Sequence, residues 1–191
     1  MESDIKSLWA RIIFSAMRNI DRIISSYDRK IDCLAMQGGI NRINYMSTQT
    51  LLNKIIDCIY MRQGLSNLKA IYNGVIAQMN PNYVKLLKLK FIKNRKFHEI
   101  ASELNISIRT VFRHYDKALN QFGCVMKLNG YNDEWLEREY GKDPYIDKIK
   151  NKVYEEYRDP DKAQITKRCN NLRKMLDNIS VVLNEEIKVN L

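Results

Sequence analysis

Between Ile13 and Leu34 the apolar residues recur at Ile13, Met17, Ile20, Ile24, Tyr27, Ile31 and Leu34, in steps that alternate four and three. Only a helix sets such residues in line, and a stripe this narrow is buried against a partner helix. Seven glycines and three prolines in 191 residues are too few to punctuate a many-stranded fold. We therefore expect an all-α protein. Its first helix should run from about Asp4 to Met36 and be broken by Gly38-Gly39.

A second long helix should follow, capped by Ser47 or Thr48 and carrying Leu51, Ile55 and Cys58, then Leu65, Leu68, Tyr72, Val75 and Met79. Gly64 is a candidate kink. Asn80-Pro81 ends the helix, because proline disfavours helical geometry in the residue before it. Residues 1–80 thus read as a long helical hairpin or coiled coil. The same seam would serve an antiparallel pair within one chain or a pairing between chains. Residues 124–191 read as a helical tail of shorter pieces spaced by Gly130 and Gly141 to Pro144. A capped helix near Asn132 or Asp133 holds Trp135 and Leu136, and another covers Tyr145 to Tyr157. A last helix, begun at Pro160, has a coiled-coil seam at Ile165, Cys169, Leu172, Leu176, Ile179 and Leu183. That seam suits either oligomerisation, most simply a homodimer, or packing back on the hairpin.

The net charge is +10, and its distribution is uneven. Residues 82–122 hold nine Lys/Arg against three Asp/Glu, whereas residues 123–191 hold thirteen of each. A polyanion is the natural partner for such a segment, since every phosphate neutralised releases condensed counterions. Cys33, Cys58, Cys124 and Cys169 are scattered, and there are two histidines, so we expect no metal site. No glycine-rich phosphate loop or nucleophile–base pattern is present, so neither cofactor nor catalysis is expected. The acidic start, Met1-Glu2-Ser3-Asp4, and the lack of a long apolar run point to a cytoplasmic protein without a membrane segment.

The stretch from Asn82 to Phe122, within a central domain of residues 81–123, reads as three helices with two tight connections. The first carries Val84, Leu86, Leu87, Leu89 and Phe91 and stops near Lys93-Asn94, with Asn94 suited to a left-handed terminus. The second, about Lys96 to Leu104, has Phe97, Ile100, Ala101 and Leu104 as its apolar face. Asn105 takes the turn, Ile106 plugs it, and Ser107 caps the third helix. That helix should bury Ile108, Val111, Tyr115, Ala118, Leu119 and Phe122, leaving Arg109, Thr110, Arg113, His114 and Lys117 outside. Long donors opposite an apolar face are what a helix needs to enter a major groove.

The run Leu89-Lys90-Phe91-Ile92, Phe97-His98-Glu99-Ile100-Ala101, Leu104-Asn105-Ile106-Ser107, Thr110-Val111 and Ala118-Leu119 resembles region 4 of the sigma-70 family, a helix-turn-helix. Asn105 replaces the usual glycine, and Phe112, Arg113 and His114 stand on a helix often rich in Lys, Ser and Arg. With the hairpin before it, the arrangement is similar to phage and prophage transcription regulators of the ArpU and RinA kind. The resemblance implies a cytoplasmic regulator that binds double-stranded DNA, with RNA polymerase as a further partner. It places Arg109, Thr110 and Arg113 at base edges. His114, Lys117 and Ser107, together with Lys93, Arg95 and Lys96 near the second helix, are expected on phosphates. Phe112 is expected to pack on the hairpin rather than to touch a thymine methyl. Two other readings stay open: a small sigma-like factor acting with polymerase, and a packaging adaptor of the small-terminase type.

Overall fold

The computed structural model describes residues 8–40 and 47–158. They are helices and short connections, with no strand among the described residues. In order, the helices are α1 (Leu8–Met17), α2 (Ile20–Ile40), α3 (Thr48–Ala77), α4 (Pro81–Leu87), a π-helical turn (Lys88–Ile92), α5 (Phe97–Leu104), α6 (Ile108–Leu128), α7 (Asp133–Tyr140) and α8 (Pro144–Arg158). Packing gathers Met1–Ile149 into one unit and Lys150–Leu191 into another, and α8 crosses that division. The seam from Ile165 to Leu183 lies outside the described residues.

The first heptad seam does not form one helix. The chain turns at Arg18-Asn19 and then stays helical to Ile40, through Gly38 and Gly39. Each glycine costs a helix about 1 kcal/mol without forbidding it. At the real break, the Ala16 carbonyl accepts the Tyr145 hydroxyl at 2.6 Å and the Asn19 N–H at 3.2 Å. The oxygen that the Ile20 N–H would use in a continuous helix is therefore engaged elsewhere.

The two halves of the seam then meet different neighbours. α2 lies along α3. The ion pairs Asp21–Lys69 and Asp28–Arg62 fix the two as antiparallel. Both pairs are well exposed, so they set register more than they stabilise. Apolar burial holds the pair, with Leu34 of α2 and Cys58 and Leu65 of α3 closed off. Ser47 caps α3, its Oγ accepting the Thr50 N–H at 3.2 Å, and the helix is continuous through Gly64.

α1 is buried on nearly every side: eight of its ten residues are closed from solvent. A helix apolar all round belongs in the middle of a fold, not on an edge. Phe14 is its anchor. The Phe14 ring centroid lies 5.2 Å from Tyr72 of α3, 5.7 Å from Phe91 of the π turn and 4.9 Å from Phe122 of α6. Burial pushes the Tyr72 phenol up to about 12, so it stays protonated.

Past α6 the chain is punctuated as its glycines suggest. Gly130, at φ 85°, ends α6 while the Tyr131 N–H reaches back to the Met126 carbonyl at 2.9 Å. Asn132 caps α7 by accepting the Trp135 N–H at 2.8 Å. Gly141 is obligatory, because a Cβ there would lie 2.3 Å from the Glu137 carbonyl oxygen.

Candidate nucleic-acid interface

Three connections position the basic segment. Asn80 opens α4, its Oδ1 accepting the Asn82 N–H at 2.9 Å, with Pro81 in the first turn. The following π turn lets Leu86, Leu87 and Leu89 all face the core. It closes at Asn94, left-handed at φ 55°, where the Arg95 N–H bonds the Leu89 carbonyl at 3.0 Å. α5 then starts with the Lys96 N–H donating to Glu99 Oε2 at 3.3 Å, half of a capping box.

α5 passes to α6 through Asn105, Ile106 and Ser107. Asn105 is left-handed at φ 52°, and the Ile106 N–H bonds the Ala101 carbonyl at 3.1 Å. Ser107 Oγ accepts the Thr110 N–H at 3.2 Å and shares a 2.8 Å hydrogen bond with Thr110 Oγ1. α5 packs on α6 through buried Ile100, and α6 buries Val111, Tyr115, Ala118, Leu119, Phe122, Val125 and Met126. The helix does not stop near Phe122: it runs through Gly123 to Leu128, because its apolar period continues with Val125 and Met126.

The expected contact residues divide into two groups. Arg109, Arg113 and Lys117 are exposed and follow one another along the outer side of α6. Lys93, Arg95, Lys96 and Ser107 are exposed at the two connections that flank α5. Arg95 pairs with Glu99 at 3.7 Å; no ion pair engages Lys93, Lys96, Arg109, Arg113 or Lys117 among the described residues. Thr110 and His114 are only half-exposed. Thr110 is turned to the Ser107 cap, and the His114 ring lies 5.6 Å from that of Tyr83 on α4.

Two apolar expectations need correction. Ile108 is 49% exposed rather than part of the buried face, because the first turn of α6 extends beyond α5 and Val111 is the first residue to reach the core. Phe112 does not pack on the hairpin. Its ring is 4.6 Å from Phe97 of α5, and 46% of its surface remains open. It is the outer end of a line of rings: Phe97 meets Tyr115 at 5.3 Å, Tyr115 meets Phe91 at 6.0 Å, and Phe91 meets Phe14. Lys90 lies over the Phe97 ring at 4.1 Å. Asp116 also belongs to the outer side of α6 and escaped the sequence reading, although its spacing from Arg109 and Arg113 places it there. The outer side of α6 is therefore basic, with one carboxylate and two apolar tips.

Beside α4 lies a groove of about 660 Å³ lined by Ile76, Ala77, Met79, Val84 and Leu89 and by the charged Lys85, Lys88, Lys93 and Glu103. Among the described residues no group of three or more His, Cys, Asp or Glu could hold a metal ion. No helix among them is long and apolar enough to cross a membrane. Comparison with models of known families, with curated proteins and with solved structures finds no match.

Proposed function

We propose that this chain binds double-stranded DNA sequence-specifically, with α5 and α6 acting as a helix-turn-helix, and that it regulates transcription. The observation that supports this reading most is the outer side of α6. There, exposed Arg109, Arg113 and Lys117 stand on a helix held from behind by seven buried residues. Laid in a major groove, Arg109 and Arg113 reach base edges, where an arginine reads guanine through O6 and N7. Asp116 is an acceptor for the amino group of cytosine, and Ile108 and Phe112 supply apolar contacts for thymine methyls. Lys93, Arg95 and Lys96 fix register on phosphates, and Ser107 presents the N-terminus of α6 to one more. Thr110 and His114 act chiefly in holding α6 in place. The resemblance to sigma region 4 supports a role at promoters.

Selection of bound duplexes from a random pool, followed by mobility-shift titration, tests this. Arg113→Ala should cost about 1–3 kcal/mol on the selected site and relax one base position. Lys96→Ala should weaken all duplexes alike and lower the slope of log K against log salt by about one. Failure to enrich any sequence, or an Arg113→Ala protein that binds as the parent does, overturns the reading. Pull-down of core RNA polymerase with promoter DNA would make the regulator sigma-like.

A further inference from the structure

α3 carries a second heptad seam that no other helix among the described residues covers. Beside the residues turned to α2 run Leu52, Ile56, Ile59, Gln63, Ser66, Ala70, Asn73 and Ala77, in steps of four and three throughout. Ser66 is half-buried and the other seven are exposed. Leu52, Ile56 and Ile59 are 48%, 46% and 47% exposed, an apolar run open to solvent. No charged residue stands on this seam, although 28% of the chain is charged. The cations bordering it, Arg62 and Lys69, are already matched by Asp28 and Asp21 of α2.

We propose that a second copy of this chain docks here, its α3 antiparallel to the first about a two-fold axis between Gln63 and Ser66. The seam is complementary to itself in that direction. Leu52 meets Ala77 of the other copy, Ile56 meets Asn73, Ile59 meets Ala70, and Gln63 meets Ser66. Large side chains from the first half of one helix fall on small ones in the second half of the other, so the backbones approach closely. Tyr60, 72% exposed, faces the other copy's Asn67, and Asn53 faces its Gly74. Gly74 fits this reading: a Cβ there would meet nothing within 4 Å inside the chain, yet glycine costs a helix about 1 kcal/mol against alanine. Asn73 and Ala77 also line the groove beside α4, which receives Leu52 and Ile56 of the partner copy. The polar centre at Gln63 and Ser66 fixes register, as polar residues in heptad seams do.

The self-complementary order of large and small residues along the seam selects a copy of the same chain as the occupant. Two molecules of net charge +10 repel over most of their surfaces; on this face Arg62 stands opposite Lys69 of the other copy, and each is already paired with an aspartate of its own α2. The seam is about 39 Å long and about 10 Å wide, from the rise and diameter of a helix. That is roughly 400 Å² per copy, below the standard interface, so the dimer should dissociate on dilution. Under the proposed DNA reading, the two-fold would present two α6 helices to two half-sites. The dimer itself does not depend on that reading.

Sedimentation equilibrium of the full chain over a micromolar dilution series, without DNA, tests the proposal. The parent should pass from dimer to monomer. Ile59→Glu and Ala70→Lys should each raise the dissociation constant by at least about tenfold, the cost of an unpaired charge in the seam. Both sites are exposed, and circular dichroism should report the parent's helicity. An equimolar mixture of the two variants should regain dimer, because the introduced carboxylate of one then meets the introduced ammonium of the other. A parent that stays monomeric, a dimer untouched by both substitutions, or a mixture that does not recover would each overturn it.

Discussion

Asp143 is buried, and its Oδ1 accepts the N–H groups of Tyr145 at 2.9 Å and Ile146 at 3.0 Å, capping α8. Burial raises its pKa above the ordinary 3.8, and the two hydrogen bonds only partly offset that. The native state therefore holds this proton to higher pH than the unfolded chain does. Its contribution to stability is greatest below 3.8 and declines as pH rises through the folded pKa. Asp143→Asn keeps the cap and removes the charge. We expect equal stability to the parent near pH of about 3 and greater stability near about 7, read by thermal melts. Asp143→Ala should cost about 1 kcal/mol through the lost cap. The cap is legible in the sequence, where Asp143 stands directly before Pro144 at the first helical position, but its burial is not. Its neighbour Tyr145 is tied by its hydroxyl to the Ala16 carbonyl of α1, from the far end of the chain.

Within single helices and turns, local chemistry was a good guide wherever it acts over a few residues. Asn94 and Asn105 read as left-handed positions and have φ of 55° and 52°. Ser107 reads as a cap, and Ser47 or Thr48 as another; Ser47 and Ser107 accept the N–H three residues on. The left-handed geometry makes a prediction for Asn105. Replacement by a β-branched residue, Asn105→Val, should cost about 1–2 kcal/mol, and Asn105→Gly should be neutral or stabilising, both measured by urea denaturation. Equal stability of the two variants would mean that the turn relaxes to another conformation. Element ends fixed by remote partners were not legible. The break at Arg18-Asn19 follows from the Tyr145 hydroxyl, 129 residues downstream of the Ala16 carbonyl it binds. Ile108 has the spacing of a buried residue but stands where no neighbour covers it.

Over longer distances, Phe14 joins the start of the chain to the candidate interface. Its ring touches α3, the π turn and α6, and from Phe91 the line of rings leads through Tyr115 and Phe97 to exposed Phe112. Phe14→Ala should cost about 3–5 kcal/mol, the value for a buried aromatic. Removal of residues 1–19 should leave the π turn and α6 without their backing helix and prevent residues 81–123 from folding, as near-ultraviolet circular dichroism would report. A truncated chain with native melting behaviour would show α1 to be dispensable.

The helical class, the caps and turns around α5 and α6, and the concentration of positive charge in residues 82–122 were all legible in the order of the residues, because periodicity, capping and charge act over one or two turns of chain. Packing settled the rest: the first heptad seam splits between a central α1 and an edge helix α2. It also engaged Thr110 with Ser107 and His114 with Tyr83, and left a second seam of α3 exposed among the described residues. Those outcomes depend on which helix covers which face, and burial is a property of neighbours far apart in sequence.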